Sequence, residues 1–316
     1  MSRTFRSFLV LLALAAMALP AASQDDDADL EDLLTQVGEQ YARAYTAPLI
    51  HSWGANQNSA LYHTAEIPES RLTVSFGIKV MGTNINEDDQ TFRTVLEDVE
   101  VGDYFDGVSG TGDVVMEGPT IFGDTETAGT LTGYVGGLPV AQEEAIEGLI
   151  DTRWVPLFAP QLEVGGYFGV RGSLRWLPEI DLGDYGKTKY MGYGLSWSPN
   201  FLLKDLPVDV MVGFFNQQID VGTIVETDAS SLYLAASRKF SAFVVYGGFA
   251  SESSTMDVSY TYEDDVVGEA EVSFETDGDM ESRFTLGATL DTPVKLNAEM
   301  NVGTMVVYSA GLMFGF

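Results

Sequence analysis

The chain has 316 residues and a formal net charge of −31, because 47 acidic residues stand against 16 lysines and arginines. It contains no cysteine and two histidines, and 45% of its residues are hydrophobic. That hydrophobic share is ordinary for a folded chain. The absence of cysteine excludes disulfide scaffolds, thiolate metal sites and cysteine nucleophiles. The acidic excess argues against nucleic-acid binding, which needs a basic surface.

Residues 1–23 have the pattern of a secretory signal peptide. Arg3 and Arg6 supply its positive start, an apolar stretch covers residues 8–22, and small residues at 21–23 suit cleavage. Fifteen apolar residues fall short of the roughly 20 that a membrane-spanning helix needs. We therefore expect residues 1–23 to be removed and the mature chain to be exported.

Residues 25–45 predict an amphipathic helix, because apolar residues recur every three or four positions. Several aspartates lie in its first turn, where acids favour the helix dipole, and Pro48 predicts that the helix ends before it. We interpret residues 24–69 as a helical hatch whose apolar face docks elsewhere in the protein. The candidate residues of this hatch are Tyr41, Arg43, Tyr45, His51, Asn58, Tyr62 and His63.

From residue 71 onward the hydrophobic period changes from helical to two. Apolar residues alternate with polar or small residues at 71–81, 187–198, 281–292, 294–303 and 305–316. This alternation predicts strands of 9–12 residues that have one apolar face.

Two architectures use such strands. A soluble β-sandwich buries the apolar face against a second sheet, whereas a transmembrane barrel turns it towards lipid. Strand length, a charged opposite face and aromatic residues near strand ends favour the barrel. We predict an all-β antiparallel transmembrane barrel over residues 70–316, of about 14 strands with 10–14 possible. The count includes 91–101, one strand within 114–140, and separate strands at 241–252 and 255–263. We interpret 102–159 overall as a long loop or inward-folded segment that includes a short helical pattern at 141–150.

Several charged residues fall on the polar face of predicted strands, where they would line the lumen. A cationic strip there could attract an anionic solute. The alternative, which we favour, is structural pairing of lumen charges, because a buried lumen must neutralise them. The lumen candidates are Arg71, Lys79, Arg171, Arg175, Asp209, Glu281, Arg283, Lys295 and Glu299.

Neither histidine indicates a catalytic site. His51 adjoins Ser52, but adjacent residues rarely form a triad and no nucleophile-elbow motif is present. The acids at 277, 279 and 281 resemble the start of a calcium loop, but Ser282 stands where an EF-hand needs glycine. A solvated turn is the favoured interpretation, with loose cation binding as the alternative. We expect no catalytic residue, no metal site and no cofactor.

Three parts of the chain resemble known bacterial families. The alternating ending 308–316, with Phe316 last, resembles the C-terminal signal of outer-membrane β-barrels, which implies recognition by the barrel assembly machinery. Residues 40–45 and 58–65, followed by the first strand, resemble the long-chain fatty-acid transporter (FadL) superfamily, which implies a hatch and fourteen strands. The arrangement at 160–178 is similar to an uncharacterised outer-membrane barrel family, a domain of unknown function, and that likeness covers most of the mature chain.

These features together predict a protein of the bacterial outer membrane, in contact with outer-membrane lipid. Its expected role is passage of a small hydrophobic or amphipathic molecule, and an anionic solute is also considered. One alternative is a structural or adhesive barrel that acts through acidic external loops. A more remote alternative is an outer-membrane lipid hydrolase.

Overall fold

A computed structural model describes residues 38–181, 187–203, 206–264 and 268–315. The predicted signal peptide, residues 25–37 of the predicted helix and Phe316 lie outside these ranges. The described chain contains one α-helix, α1 (Glu39–Gln57), and fifteen strands. The strands are β1 (Thr73–Asn84), β2 (Thr91–Glu100), β3 (Thr111–Pro119), β4 (Thr130–Val135), β5 (Leu138–Glu144), β6 (Trp154–Gly166), β7 (Val170–Asp181), β8 (Lys187–Trp197), β9 (Asp209–Val221), β10 (Val225–Phe240), β11 (Phe243–Asp264), β12 (Gly268–Asp277), β13 (Ser282–Leu290), β14 (Val294–Val302) and β15 (Val306–Gly315).

Ten antiparallel strands form a closed barrel. The ring runs β1-β6-β7-β8-β9-β10-β11-β13-β14-β15, and β15 pairs with β1 again. β12 pairs only with the second half of β11 and extends outside the ring. Closure leaves the ring no unpaired edge, as a membrane barrel requires.

The ten strands of the ring lie at the lower end of the predicted range of 10–14, and the central prediction of about fourteen is wrong. The segments predicted at 241–252 and 255–263 form one strand, β11, because the ladder continues through residues 253–254 without a break. The segments predicted at 91–101 and within 114–140 pair with each other in a separate four-stranded sheet. Local alternation marks a strand, but it does not tell which sheet the strand joins.

Side chains alternate across the barrel wall as the sequence predicts. On β13, Phe284 and Leu286 face outward and are 67% and 62% exposed. Arg283, on the inner face of the same strand, is 2% exposed. The same pattern holds on β10, where Leu234 is 61% exposed. A sandwich would bury the apolar rows, so the barrel interpretation is confirmed.

The small sheet, β2–β5, lies between β1 and β6 in the chain. Residues 102–159 are therefore not a structureless loop, because β3, β4, β5 and the start of β6 fall within them. Gly136 and Gly137 make the β4–β5 turn with φ of 61° and 79°, values that glycine adopts at little cost. The helical pattern at 141–150 is also wrong, because β5 occupies its first part.

Helix α1 continues past Pro48 to Gln57, which differs from the predicted end. Proline inside a helix costs roughly 3 kcal/mol. Pro48, Leu49 and Ile50 are buried against the barrel wall and the small sheet, and this packing offsets the cost. No helix among the described residues is long and apolar enough to cross a membrane.

The hatch runs the full length of the barrel. We call the end where β1 begins and β15 finishes the C-terminal end, and the opposite one the small-sheet end. Near the start of α1, the Tyr41 ring meets Phe92 of β2 at 4.8 Å, and the Ile121 amide donates to the Tyr45 carbonyl at 3.0 Å. Beyond α1, the His63 carbonyl accepts from Thr289 near the C-terminal end. The described part of the hatch, residues 38–69, therefore reaches from the small-sheet end to the C-terminal end.

Candidate functional site

Arg283 joins the barrel wall to the end of α1. Its Nε and Nη2 donate to the two Glu252 oxygens at 2.6 and 2.7 Å. Nη2 also donates to the Ala55 carbonyl at 2.8 Å, and Nη1 donates to the Ser59 hydroxyl. The last carbonyls of a helix lack intrahelical partners and carry partial negative charge. A wall cation therefore satisfies the C-terminal end of the hatch helix.

Arg175 holds the same end from the other side of the lumen. Its Nη1 donates to the Gln57 carbonyl at 2.8 Å and Nη2 donates to the Ser59 carbonyl at 2.7 Å. Its Nε donates to Gln161 Oε1 at 2.9 Å. The guanidinium is fully buried and lies 5.2 Å from the Phe215 ring centroid. The hatch helix thus ends between two buried arginines.

Glu299 binds the chain immediately after this point. Its Oε1 accepts from the Ala60 amide at 2.8 Å, and its Oε2 accepts from the Tyr246 hydroxyl at 2.9 Å. Lys79 on β1 is fully buried and donates to Asn297 Oδ1 on β14 at 3.0 Å. Wall residues of both charges therefore contact or surround the hatch.

A third cluster lies nearer the C-terminal end. His63 Nδ1 is 3.6 Å from Glu163 Oε1, and Arg171 Nε is 4.0 Å from Glu163 Oε2. Arg171 also donates to the hatch carbonyls of Thr64 at 3.2 Å and Glu66 at 2.5 Å. His63, Glu163 and Arg171 are all buried, so this cluster closes the lumen below the arginine pair.

The sequence predicted five of these wall residues but missed their partners. Glu163, Glu252 and Gln161 were not candidates, although each alternates with outward-facing neighbours. Gln161 and Glu163 flank the outward-facing Leu162 on β6. Because side chains alternate between the two faces of a strand, this position alone places both residues on the inner face. That alternation was the available signal.

The remaining lumen candidates lie outside the buried clusters. Arg71 is exposed at the C-terminal end, and Lys295 is half-buried there, 3.3 Å from Asp291. Asp209 is half-buried and accepts from Asn200 at 2.9 Å. Glu281 is exposed, and its prediction as a lumen residue is wrong. It precedes β13, so it is not held by the ladder that turns Arg283 inward.

The hatch candidates divide between the two ends. Tyr41 and Tyr45 are buried near the small sheet, and burial raises the pKa of Tyr41 to about 12. Arg43 pairs with Glu39 at 2.8 Å, and His51 is half-buried. Asn58 donates to the Ser253 carbonyl at 3.3 Å, and Tyr62 stacks on Tyr233 at 5.1 Å, on the inner side of the wall. His63 lies in the cluster described above.

The interface between hatch and wall contains buried polar atoms that lack a hydrogen-bond partner among the described residues. On the hatch they are Asn56 Oδ1, both polar atoms of the Gln57 side chain and His63 Nδ1. On the inner wall they include Thr188 Oγ1 and Ser231 Oγ. Buried polar groups usually find a partner or an ordered water. The contact between hatch and wall therefore combines buried polar groups with apolar packing, for example of Leu61 and Ile67 with Phe215.

A polar cavity of about 150 Å³ opens at the C-terminal end. His63, Glu163 and Arg171 line its buried part. Asp291 lies at its opening. Burial alone would raise the pKa of the Asp291 carboxyl, but hydrogen bonds from Lys239 and Lys295 lower it below the ordinary value. The barrel turn that contains Asp291 is therefore fixed by two lysines.

The whole chain, residues 1–316, matches a family described as a family of unknown function (DUF6588). The chain belongs to that family. This agrees with the uncharacterised family that residues 160–178 resemble. No functionally curated protein matches the sequence significantly.

Solved outer-membrane proteins give weak structural likenesses. OmpT of Vibrio cholerae has 13% identity and a TM-score of 0.27, over 78% of this chain and all of that one. OprB of Pseudomonas putida has 8% identity and a TM-score of 0.21, over 78% of this chain and 94% of that one. OmpF of Salmonella typhi, in complex with daunomycin, has 9% identity and a TM-score of 0.19, over 78% of this chain and 98% of that one. With scores this low, the assignment of a barrel rests on the strand pairing itself.

Proposed function

We propose that this protein is an outer-membrane channel that the hatch closes at rest, and that a small polar solute crosses it when the hatch shifts. The observation that carries the proposal is the set of buried charged groups of the wall, Arg175, Arg283 and Glu299, that hold the hatch through its backbone. A hatch that served only as a filler would be expected to pack through apolar contacts alone, whereas these backbone groups can accept from or donate to water when the surfaces separate.

The outer surface supports a place in a membrane. Apolar side chains face outward on every strand of the ring, including Leu162, Trp176, Leu195, Phe214, Leu234, Phe249, Phe284, Leu296 and Leu312. Soluble monomers rarely expose apolar surface on this scale. A closed barrel with an apolar outer belt satisfies its backbone internally and suits lipid.

The lengths of the connections support one orientation. At the C-terminal end, strands are joined by short turns at 167–169, 241–242 and 291–293 and by one longer connection at 198–208. At the opposite end the chain inserts residues 85–153, which contain the small sheet. Barrels of the outer membrane place short turns in the periplasm and long insertions outside. The small sheet and the start of α1 are therefore proposed to face the exterior.

Cysteine labelling tests this orientation, because the natural chain has no cysteine. We expect a membrane-impermeant maleimide to label Gly38→Cys and Glu143→Cys on intact cells. A Cβ at Gly38 would meet only Gln40 Oε1 at 3.9 Å, so the change fits. Ser70→Cys at the C-terminal end should be labelled only after lysis. The reverse pattern would contradict the orientation, and labelling of all three would contradict membrane insertion.

The lining favours polar over hydrophobic solutes. The cavity at the C-terminal end is lined mainly by charged and hydroxyl side chains, and the path along the hatch passes Arg175, Lys79 and Glu299. An apolar molecule would have to pass these buried charges at high cost. We therefore replace the expected hydrophobic solute by a small hydrophilic one in this proposal.

An engineered disulfide between hatch and wall tests the gating proposal. The hydroxyls of Thr64 in the hatch and Ser237 on β10 lie 3.3 Å apart, so paired cysteines there can bond after a small shift. In planar bilayers we expect the wild type to show intermittent openings. The oxidised Thr64→Cys/Ser237→Cys protein should remain closed, and a reducing agent should restore the openings.

A matched pair on the wall controls for the chemistry of cross-linking. The Ser230 and Ser253 hydroxyls lie 2.9 Å apart on neighbouring strands β10 and β11. Oxidation of Ser230→Cys/Ser253→Cys leaves the hatch free, so openings should persist. A wild type that never conducts would refute the channel, and openings in the oxidised hatch-linked protein would refute gating by hatch movement.

The small sheet supports a second candidate function, adhesion through its acidic surface. Residues 85–153 contain 16 acidic residues and two arginines, and most of these acids are exposed. Such a surface would attract a basic partner or a cationic surface. If the wild type never conducts but cells that carry the protein bind a cationic surface in a salt-sensitive way, adhesion is the better assignment.

A further inference from the structure

Positive charge gathers around the cavity at the C-terminal end. Arg71, Arg171, Lys239 and Lys295 line it together with Glu66, Glu163 and Asp291. The cavity therefore carries an excess of one positive charge in a chain whose net charge is −31. A concave site of one sign concentrates solutes of the opposite sign.

Two of the three acids of the cavity are engaged by cations, whereas the guanidinium of Arg71 is engaged by no acid of the described chain. Asp291 pairs with Lys239 and Lys295, and Glu163 contacts Arg171 and accepts from Gln161. Arg71 forms no ion pair with any residue in the part of the chain that the structure describes. Its planar fork of donors matches a carboxylate in bidentate geometry.

The buried side chain of His63 also faces the cavity. His63 is 2% exposed and lines the cavity. Its Nδ1 lies 3.6 Å from Glu163 Oε1 and makes no hydrogen bond to the described residues. With the proton on Nδ1, this atom can donate to an anion. Glu66 opposes an anion at the opening, and the nearby Lys239 offsets it.

The size and polarity of the cavity limit the ligand. Its volume of about 150 Å³ is well below the roughly 300–1,000 Å³ of sites for drug-sized molecules. The lining is mainly polar, and only Pro68 and Val244 offer apolar surface to an acyl chain. We infer that this cavity binds a small carboxylate anion of a few carbon atoms, through Arg71, Lys239, Lys295 and His63. The inference deepens the proposed function, on which it rests, by naming the solute that enters or leaves at this end.

Equilibrium binding tests the site without requiring conductance. Line broadening of ¹³C-labelled propionate is measured on the full-length protein in detergent at low ionic strength, with propionamide as the neutral isostere. We expect broadening of propionate and none of propionamide. Arg71→Gln and Lys295→Gln should each weaken propionate binding at least tenfold. Arg93→Gln, which removes an exposed cation of the small sheet, should leave binding unchanged.

The possible failures are distinct. Absence of propionate binding, equal binding by Arg71→Gln and wild type, or equal binding of propionamide would each overturn the carboxylate site. Conductance with no propionate binding would remove this site and leave the channel. Propionate binding by a protein that never conducts would keep the site and remove the channel.

Discussion

Arg283→Met is expected to lower the free energy of unfolding by about 3–5 kcal/mol, because it leaves Glu252 buried without its cation. Arg283 forms both hydrogen bonds to that carboxylate and is 2% exposed. The loss also frees the Ala55 carbonyl and the Ser59 hydroxyl from their wall donor. Urea-induced unfolding in phospholipid vesicles, followed by tryptophan fluorescence, measures the change.

Two further variants separate this explanation from a general effect of losing an arginine. Arg283→Met with Glu252→Gln removes the uncompensated charge and should recover most of the stability. Arg93→Met breaks an exposed pair with Glu117 at 3.3 Å, and such pairs contribute under about 1 kcal/mol. Equal losses in Arg283→Met and Arg93→Met would contradict the buried ion pair, as would a double variant no more stable than the single one.

The contacts of the hatch suggest how closure and release can coexist. The arginine pair holds the end of α1 through carbonyl oxygens, which also form hydrogen bonds with water when released. The unsatisfied atoms of Asn56, Gln57 and His63 lie along the same segment. Water that entered here would form hydrogen bonds with these atoms while it weakened the arginine contacts. In the proposed channel, the free-energy difference between the closed and the shifted hatch would therefore be smaller than the number of contacts suggests.

Much of the barrel wall was predictable, because alternation over nine or more residues fixes both the strand and its two faces. The inward positions of Lys79, Arg175 and Arg283 follow from parity alone. The strand count was not predictable, because pairing partners are set by long-range contacts. Nothing local to β2 or β3 shows that they pair with each other rather than with the ring.

The hatch shows the same limit. Its position before the first strand was predicted, but its helix extends to Gln57, since burial of Pro48 outweighs the local penalty. The arginine contacts with hatch carbonyls could not be predicted either, because backbone acceptors leave no mark on the sequence. Structural pairing was the favoured interpretation of the lumen charges. Arg283 with Glu252 agrees with it, whereas Arg175 binds backbone and amide oxygens instead.

Deletion of residues 24–69 is expected to convert a closed barrel into a continuously conducting one. The ladders of the ring involve no hatch residue, so the wall should still assemble. Its buried charges would then face water and need no partner from the hatch. Planar-bilayer recording measures the change, with deletion of 24–37 as the control, because that deletion leaves every described hatch contact in place and should remain mostly closed.

The same deletion changes what Arg283 contributes, and this gives an independent check. In the emptied lumen water solvates Glu252, so Arg283→Met should destabilise the deleted barrel far less than the intact protein. A barrel that stays closed after deletion of 24–69 would show that the wall alone blocks the lumen. An unchanged cost of Arg283→Met would show that the pair acts within the wall and does not depend on the hatch. Conductance together with a reduced cost would assign closure of the lumen and burial of its charges to the same hatch segment.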